Sequence, residues 1–270
     1  MNPLIPPATV LLGIAVAWAL TVPLYRFKEL RPLTPRDIPS EVGGPQDQPP
    51  TIRASYRQAL CPSCHHSYSW RDAAPGVSWI RGCPSCGVSL PRTALALQIG
   101  LPAAMLLTVL LLPGSWAAVP YLFLTVALAS IAVVDLRIWL IPYWMPWVGA
   151  AVGLVLISAV SVAIGAPGQI VVALAGAFGT FLLFLVLFLA APGKLGFGDV
   201  RLALMLGLFL AWMHPILPVY GLLFGSLLGL VMGLVALATR GSSRFPFGPG
   251  LCLGAMLAVW LHEPILRGLG

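Results

Sequence analysis

The sequence predicts an all-α polytopic membrane protein with about eight transmembrane helices and a small cytoplasmic domain between helices 1 and 2. The first observation is composition: of 270 residues, 59% are apolar and only 9% are charged. Typical soluble domains have roughly 45–50% apolar and about 25% charged residues. The second observation is that the apolar residues form runs long enough to cross a bilayer. These features exclude an ordinary soluble enzyme, a disordered protein and a secreted disulfide scaffold.

The charges provide the third observation, because most of them lie in one segment. The net charge of +7 would indicate nucleic acid as the partner of a soluble protein. In a membrane protein, Lys and Arg instead collect on the cytoplasmic side. We therefore expect the lipid bilayer as a partner and no nucleic acid. No residue pattern indicates an oligomeric state.

The first predicted domain, residues 1–25, consists of one transmembrane helix. Its apolar run begins near residue 8, and no basic segment precedes it. Arg26 and Lys28 follow the run, which reverses the charge order of a cleaved signal peptide. We therefore expect a retained helix whose N-terminus lies outside.

The second predicted domain, residues 26–92, is polar. It contains nine of the fifteen basic residues, five of the eight acidic residues and four of the five cysteines. The stretch from Ile38 to Thr51 is rich in Pro, Gly and Gln and is typical of a loop. The excess of basic residues predicts that this domain lies in the cytoplasm.

The third predicted domain, residues 93–270, is almost entirely membrane-embedded. Seven further helices are predicted near 94–112, 116–136, 143–165, 168–191, 199–213, 216–238 and 247–264. With the N-terminus outside, the inner loops of this domain hold Arg137, Lys194, Arg201, Arg240 and Arg244. The outer loops hold no Lys or Arg before Arg267, and this bias supports the predicted orientation.

Four cysteines in the polar domain form two Cys-x-x-Cys pairs. Cys61 and Cys64 are separated from Cys83 and Cys86 by 18 residues, a spacing typical of a tetrahedral four-thiolate zinc site. The alternatives are two disulfides or a redox-active pair, and disulfides are disfavoured in the cytoplasm. We expect structural zinc that largely folds this small domain. A closed four-Cys site leaves no open position for catalysis.

Two aspartates are the only acidic residues between positions 73 and 262: Asp135 and Asp199. Ionisable groups near the hydrocarbon cost roughly 2.5–3.5 kcal/mol each on insertion scales. The predicted topology puts both residues at inner helix ends, at the same depth, where they could meet. Two facing carboxyls cannot both ionise comfortably, so one holds a proton while the other is charged. This pair is the arrangement of an aspartyl protease.

Other interpretations of the two aspartates remain open from the residue pattern alone. Each could pair with a basic neighbour two positions on, Arg137 or Arg201, although that spacing does not bring helical side chains face to face. Either could also serve as a proton relay. The second interpretation makes the chain a zinc-folded membrane transporter. Incubation with a leader peptide ending in Gly would distinguish a protease from a transporter.

Glycines precede the second aspartate in the segment Gly193-Lys-Leu-Gly196-Phe-Gly198-Asp199. Glycine allows another backbone to approach closely and permits positive φ. A protease must hold its substrate extended, and an irregular segment can offer hydrogen bonds to that backbone. An ordinary interhelical turn would have the same composition.

Four segments together resemble the type IV prepilin peptidases, a bacterial family of GxGD-type aspartyl proteases. The family's Asp followed by Pro seven residues later is matched by Asp135 and Pro142. Its GxGD motif is matched from Gly196 to Asp199, with Val-Arg-Leu following. The other two segments are Pro246-Phe-Gly248-Pro249 and the paired Cys-x-x-Cys motifs. The resemblance implies that Pro142, Gly196, Gly198, Pro246, Gly248 and Pro249 shape the site.

The resemblance implies a substrate and a location. Members of the family cleave the short basic leader of prepilins or pseudopilins after a Gly, at the cytoplasmic face of the bacterial inner membrane. Asp135 and Asp199 match the family's two catalytic aspartates. Many members then methylate the new N-terminal amine with S-adenosylmethionine.

Most departures from the family pattern fall at positions that the resemblance associates with methyl transfer. Ala17, Thr21, Ala73 and Gln98 stand where the family usually has Gly, Asn, Asn and Glu. Tyr143 stands where an Asp often follows the Pro of the first motif. We therefore expect peptidase activity with weak or absent methyl transfer.

Overall fold

The computed structural model describes most of the membrane part of the chain and little of the polar domain. It covers residues 5–24, 71–72, 74, 82–88, 92–112, 116, 118–191, 195–240 and 246–268. Within these ranges the chain forms helices joined by short turns, and no strand occurs. The all-α class predicted from the sequence is therefore confirmed for the described residues.

Nine helices occur in the described ranges. They are α1 (Ile5–Leu24), α2 (Arg92–Leu111), α3 (Ala118–Ile138), α4 (Trp144–Ala163), α5 (Gly168–Ala190), α6 (Phe197–Met213), α7 (Leu217–Arg240), α8 (Gly248–Trp260) and α9 (His262–Arg267). An observed helix lies at each of the eight predicted positions. Long apolar runs ended by Gly, Pro or charged residues explain this agreement.

The last predicted helix, 247–264, was too long. Helix α8 ends at Trp260, and the short helix α9 begins at His262. Pro264 explains the break, because its nitrogen carries no proton to donate to the carbonyl four residues earlier. The Leu261 N–H still bonds the Leu257 carbonyl at 2.8 Å, which is the ordinary helical bond to the fourth preceding residue.

Five described helices are long and apolar enough to cross a membrane. They cover Thr93–Leu111, Ala118–Ile138, Trp144–Ala163, Gly168–Ala190 and Leu217–Ala238. Shorter apolar helices cover Ile5–Thr21 and Gly248–Trp260, and α6 has 17 residues. These features agree with a polytopic membrane protein, while the number of eight spans stays a prediction. Large apolar side chains also face outward, such as Phe178 at 66% exposure, which suits contact with lipid.

Helix α6 is the buried centre of the bundle. Its residues from Asp199 to Trp212 are buried, apart from Arg201 and Leu204, which are half-buried. Helix α5 approaches it closely at Gly176 and Gly207, where an added Cβ on either residue would meet the other helix. Small residues allow such close contacts between membrane helices, which are held by van der Waals packing.

Hydrogen bonds also join the neighbouring helices to α6. The Thr180 hydroxyl on α5 donates to the Ala203 carbonyl at 2.8 Å. The Trp212 indole donates to Ser161 on α4 at 2.9 Å, and the Tyr121 hydroxyl on α3 donates to the Phe209 carbonyl at 2.8 Å. Buried polar groups in a bilayer need internal partners of this kind. These bonds hold α6 against α3, α4 and α5.

A second close helix pair, α7 and α8, completes this side of the bundle. A Cβ added at Gly254 of α8 would collide with the backbone of Gly225 and Gly221 of α7. A Cβ added at Gly250 would lie 2.8 Å from the Gly229 nitrogen. The resulting contact fixes the start of α8 relative to α7.

Helices α1 and α2 pack against the opposite side of α3. A Cβ added at Gly13 of α1 would lie 2.7 Å from the Pro102 Cα of α2. Where α1 ends, the Arg137 guanidinium of α3 donates to the Leu24 carbonyl at 2.8 Å. This bond gives a backbone carbonyl at a helix end the partner that it lacks within its own helix.

Candidate active site

Asp135 lies in the last turn of α3, with 5% of its surface exposed. Its Oδ2 accepts the backbone N–H of Gly248, the first residue of α8, at 3.1 Å. The N-terminus of a helix carries unpaired N–H groups and a partial positive charge, and both favour a carboxylate. An added Cβ at Gly248 would lie 2.5 Å from this oxygen. Glycine at position 248 therefore gives the carboxylate room to reach the helix end.

Asp199 lies in the first turn of α6, with 8% of its surface exposed. Gly196 caps this helix in an extended conformation, and its carbonyl accepts the Asp199 N–H at 3.1 Å. The Gly196 N–H in turn hydrogen-bonds the Asp199 carboxylate. The pair resembles a capping box, in which an acidic side chain reaches back to the N-cap N–H. Both aspartates therefore face a helix N-terminus.

The fold brings the two aspartates together, at the end of α3 and the start of α6. Ile141 lies against both Gly198, which precedes Asp199, and Gly248, which bonds Asp135, so the two carboxyls are near enough to interact. A like charge at short range in a poorly solvated site favours the state with one proton shared between two carboxyls. The arrangement can therefore hold one acid and one base at the same place.

The neighbouring arginines have other partners. Arg137 reaches across to α1 at Leu24, and the Arg201 guanidinium carbon lies 4.7 Å from the centre of the Phe197 ring. Among the described residues, Arg267 forms an ion pair with Glu263 on α9. Neither aspartate therefore pairs with the arginine two positions further along the chain.

The turn after α3 lies between the segments that carry the two carboxyls. Trp139 has φ of 56°, a left-handed conformation that a bulky residue rarely adopts. Its N–H bonds the Asp135 carbonyl at 2.9 Å, and it thereby ends the helix as a left-handed C-terminal residue does. Ile141 follows and is buried. Pro142 is also buried, and its carbonyl accepts the Met145 N–H at 3.1 Å as α4 begins.

The other residues predicted to shape the site lie around it in different roles. Gly198 is the second residue of α6 and packs against Ile141. Pro249 is buried at the second position of α8, where a missing N–H has no helical partner to lose. Pro246 is half-buried just before the cap of that helix. Pro246 and Pro249 thus flank the Gly248 N–H.

Sequence reasoning missed Ile141, Trp139 and Cys252 as parts of this site. Cys252 lies one turn beyond Gly248, is buried, and is within electrostatic range of both carboxyls. A single cysteine within an apolar helix is typical of a packed small hydrophobic residue, so its residue type carries no signal of a site. An apolar residue beside a proline carries no chemical signal of a site, and a positive φ at Trp139 cannot be read from residue type.

The second Cys-x-x-Cys pair forms a tight turn. The Cys83 N–H donates to the Val88 carbonyl, and the Gly87 N–H donates to the Cys83 carbonyl, both at 2.8 Å. Gly82 and Gly87 have φ of 62° and 71°, conformations that glycine adopts without strain. Such a turn suits the chemistry of a two-thiolate half-site. Cys61 and Cys64 lie outside the described residues, within which no group of three metal ligands occurs.

Three of the positions that the resemblance associates with methyl transfer lie together where α1 packs on α2. The Gln98 amide donates to the Thr21 hydroxyl at 3.3 Å, and that hydroxyl donates to the Ala17 carbonyl at 2.7 Å. All three residues are buried. Ala73 lies outside the described residues, and Tyr143 is 67% exposed at the start of α4. The local groups are thus neutral and bonded to one another.

Comparison with known proteins connects this geometry to a family. The pattern of the type IV leader peptidase family matches residues 122–234, which contain both Asp135 and Asp199. No solved structure matches the chain.

Curated relatives resemble the chain over much of its length. The "prepilin leader peptidase/N-methyltransferase" of Pseudomonas aeruginosa is 28% identical, covering 96% of this chain and 91% of its own length. The "type 4 prepilin-like proteins leader peptide-processing enzyme" of Escherichia coli O78:H11 is 26% identical, covering 93% and 91%. The Myxococcus xanthus "prepilin leader peptidase/N-methyltransferase" is 32% identical, covering 68% and 55%. The chain is therefore similar to the type IV leader peptidase family across the segment that holds both aspartates.

Proposed function

We propose that this protein is a membrane-embedded aspartic endopeptidase that removes the basic leader of type IV prepilins or pseudopilins after a Gly. The observation that carries the proposal is the convergence of the Asp135 and Asp199 carboxyls in a buried site. The names of the relatives supply the substrate class. A transporter with an aspartate proton relay is not favoured, because those relatives are named as peptidases.

Peptide hydrolysis requires the carboxyl pair to carry one proton, so that one carboxyl is ionised and the other is protonated. The ionised carboxylate takes a proton from a water molecule, which attacks the carbonyl carbon of the scissile peptide bond. The protonated partner donates a hydrogen bond to the carbonyl oxygen, and the proton taken from water then passes to the leaving amine. The N–H groups of Gly248 and Gly196 orient the two carboxyls for these steps.

The start of α6 suits contact with an extended peptide. Gly196 is extended, and both Gly196 and Phe197 are exposed, although Asp199 is buried beside them. An exposed extended segment can pair with the backbone of a substrate. The leader would then pass directly beside the carboxyl pair.

We infer that the active site faces the cytoplasm of a bacterium, at the inner membrane, with the N-terminus outside. Asp135 and Asp199 each lie two residues from an arginine, Arg137 or Arg201, at a helix end. Basic residues favour the cytoplasmic side, where a basic leader would also stay.

We propose a structural zinc ion held by Cys61, Cys64, Cys83 and Cys86. The tight turn at Cys83 and the Cys-x-x-Cys spacing support it. Zinc bound by four thiolates supplies folding free energy, and it leaves no position open for a substrate.

The carboxyl pair gives the first prediction. Asp135→Asn and Asp199→Asn should each lower cleavage of a leader peptide by at least about 10³-fold, because each removes one half of the acid–base pair. The double variant should be hardly slower than either single variant. Cleavage by the unaltered protein should fall at both acidic and alkaline pH. Mass spectrometry of the peptide products, with purified protein in detergent, measures these rates.

The control for this experiment is Glu263→Gln, which changes an exposed acid paired with Arg267 on α9. It should cleave at the normal rate. Near-normal cleavage by the Asp135→Asn variant would contradict the proposed pair and favour a relay function.

Gly248→Ala should inactivate the enzyme at small cost to its stability. The new Cβ would meet the Asp135 carboxylate, which is the movable end of a side chain and would swing away from its position. Gly254→Ala, on the same helix, meets the Gly225 backbone and should destabilise the fold by about 1–3 kcal/mol. Cleavage rates and thermal unfolding in detergent separate the two effects. Normal activity of Gly248→Ala would show that the carboxylate position is not critical.

Removal of zinc should unfold the polar domain and leave the membrane part helical. Protein purified without chelator should contain about one zinc ion per chain, and Cys83→Ser should lose it. Atomic absorption and limited proteolysis between residues 52 and 92 measure the two effects. Cys252→Ser is the matched control, because that residue lies in α8. Zinc-free wild-type protein with a protease-resistant domain would refute a zinc-folded domain.

Methyl transfer to the cleaved pilin should be weak or absent. The buried Thr21 and Gln98 side chains are neutral and bonded to each other, so they offer no carboxylate to an amine or to S-adenosylmethionine. Mass spectrometry of the processed N-terminus, with and without S-adenosylmethionine, tests this expectation. Complete N-methylation that depends on this protein alone would disprove it.

A further inference from the structure

We propose that Ile141 is a positioning residue that sets the separation of the two catalytic carboxyls. It lies in the turn between α3 and α4 and is 6% exposed. The inference rests on the proposed function, since it concerns the geometry of the peptidase site. Ile141 has no group that could take part in the chemistry, so its effect would come through the residues that it touches.

The two ends of the Ile141 side chain contact two different helices. A Cβ added at Gly198 of α6 would lie 3.0 Å from the Ile141 Cβ. A Cβ added at Gly248 of α8 would lie 3.1 Å from the Ile141 Cδ1. The side chain therefore fills the space between the backbone starts of α6 and α8.

Each of these glycines is tied directly to one carboxyl. Gly198 is bonded to Asp199 in the chain, and Gly248 donates its N–H to Asp135 at 3.1 Å. A change in the volume at position 141 would therefore move the two carboxyl-bearing segments relative to each other. Because Gly198 and Gly248 have no side chains, Ile141 contacts their backbones directly. No side chain lies between them that could move to accommodate a change of volume at position 141.

The turn holds Ile141 in this place from both sides. Trp139 is left-handed, with φ of 56°, and its N–H bonds the Asp135 carbonyl at 2.9 Å. On the other side, Pro142 has a fixed φ and restricts the residue before it to extended conformations. Ile141 is thus held three residues beyond Ile138, the last residue of the helix that carries Asp135.

Two truncations at Ile141 test the proposal in graded steps. Ile141→Val removes Cδ1, the atom facing Gly248, and keeps the Cβ facing Gly198. Ile141→Ala removes everything beyond Cβ. Because a displacement of about 1 Å can cost on the order of 100-fold in rate, we expect kcat for leader cleavage to fall about 10-fold in the valine variant and about 100-fold in the alanine variant. KM should stay nearly constant, while the width of the pH–rate profile changes.

Ile157→Val and Ile157→Ala provide matched controls. Ile157 is fully buried on α4 within the same apolar core, so the same atoms are removed from a comparable environment away from the carboxyls. These variants should lose thermal stability and keep kcat and the pH profile. If the alanine variant at 141 fails to fold, the valine variant decides the outcome.

Three outcomes are distinguishable. A loss of kcat and a changed pH width at 141 alone supports the positioning role. Equal effects at 141 and 157, or unchanged kcat at 141, would overturn it and leave Ile141 an ordinary core residue. Absence of cleavage by the unaltered protein would overturn the proposed function itself, which is a different failure.

Discussion

The close approach of helix backbones at glycine is the constraint on which the rest of this structure depends. Gly176 and Gly207 join α5 to α6, and Gly225 and Gly254 join α7 to α8. Lipid provides no hydrophobic force between helices, so tight van der Waals contact is what holds them. Because α6 and α8 have only 17 and 13 residues, a small slip along either axis would change the depth of its N-terminus. The contacts therefore fix where the two carboxyls meet.

Main-chain N–H groups stabilise the two carboxyls, which lie among apolar helices. Each carboxyl faces the N-terminus of a helix: Asp135 that of α8, and Asp199 that of its own helix α6. Helix N-termini offer N–H donors and partial positive charge. A basic side chain as partner would instead hold both carboxyls ionised, and an acid–base pair would be lost. Placing Arg137 and Arg201 on other partners is consistent with this need.

Much of this fold could be predicted from the sequence, because apolar runs interrupted by Gly and Pro set the helix positions. Even the break after Trp260 had a signal in Pro264 that the hydropathy pattern obscured. The proximity of the two aspartates followed from the predicted topology, which put both at helix ends on the same side of the bundle. The bond from Gly248 to Asp135 could not be predicted, since it joins residues 113 positions apart. Ile141 was missed because its effect depends on packing between two glycines.

The bond between Asp135 and Gly248 also has a consequence for biosynthesis. Asp135 inserts with α3, but its hydrogen-bond donor enters the membrane 113 residues later. At translation rates of about 5–20 residues per second, the carboxyl waits on the order of 10 s for that donor. Once residue 199 has been added, the nascent chain holds both aspartates but still lacks the element that orients one of them. Catalytic competence would therefore arise only when α8 has joined the bundle, so an interrupted chain would not become an unregulated protease.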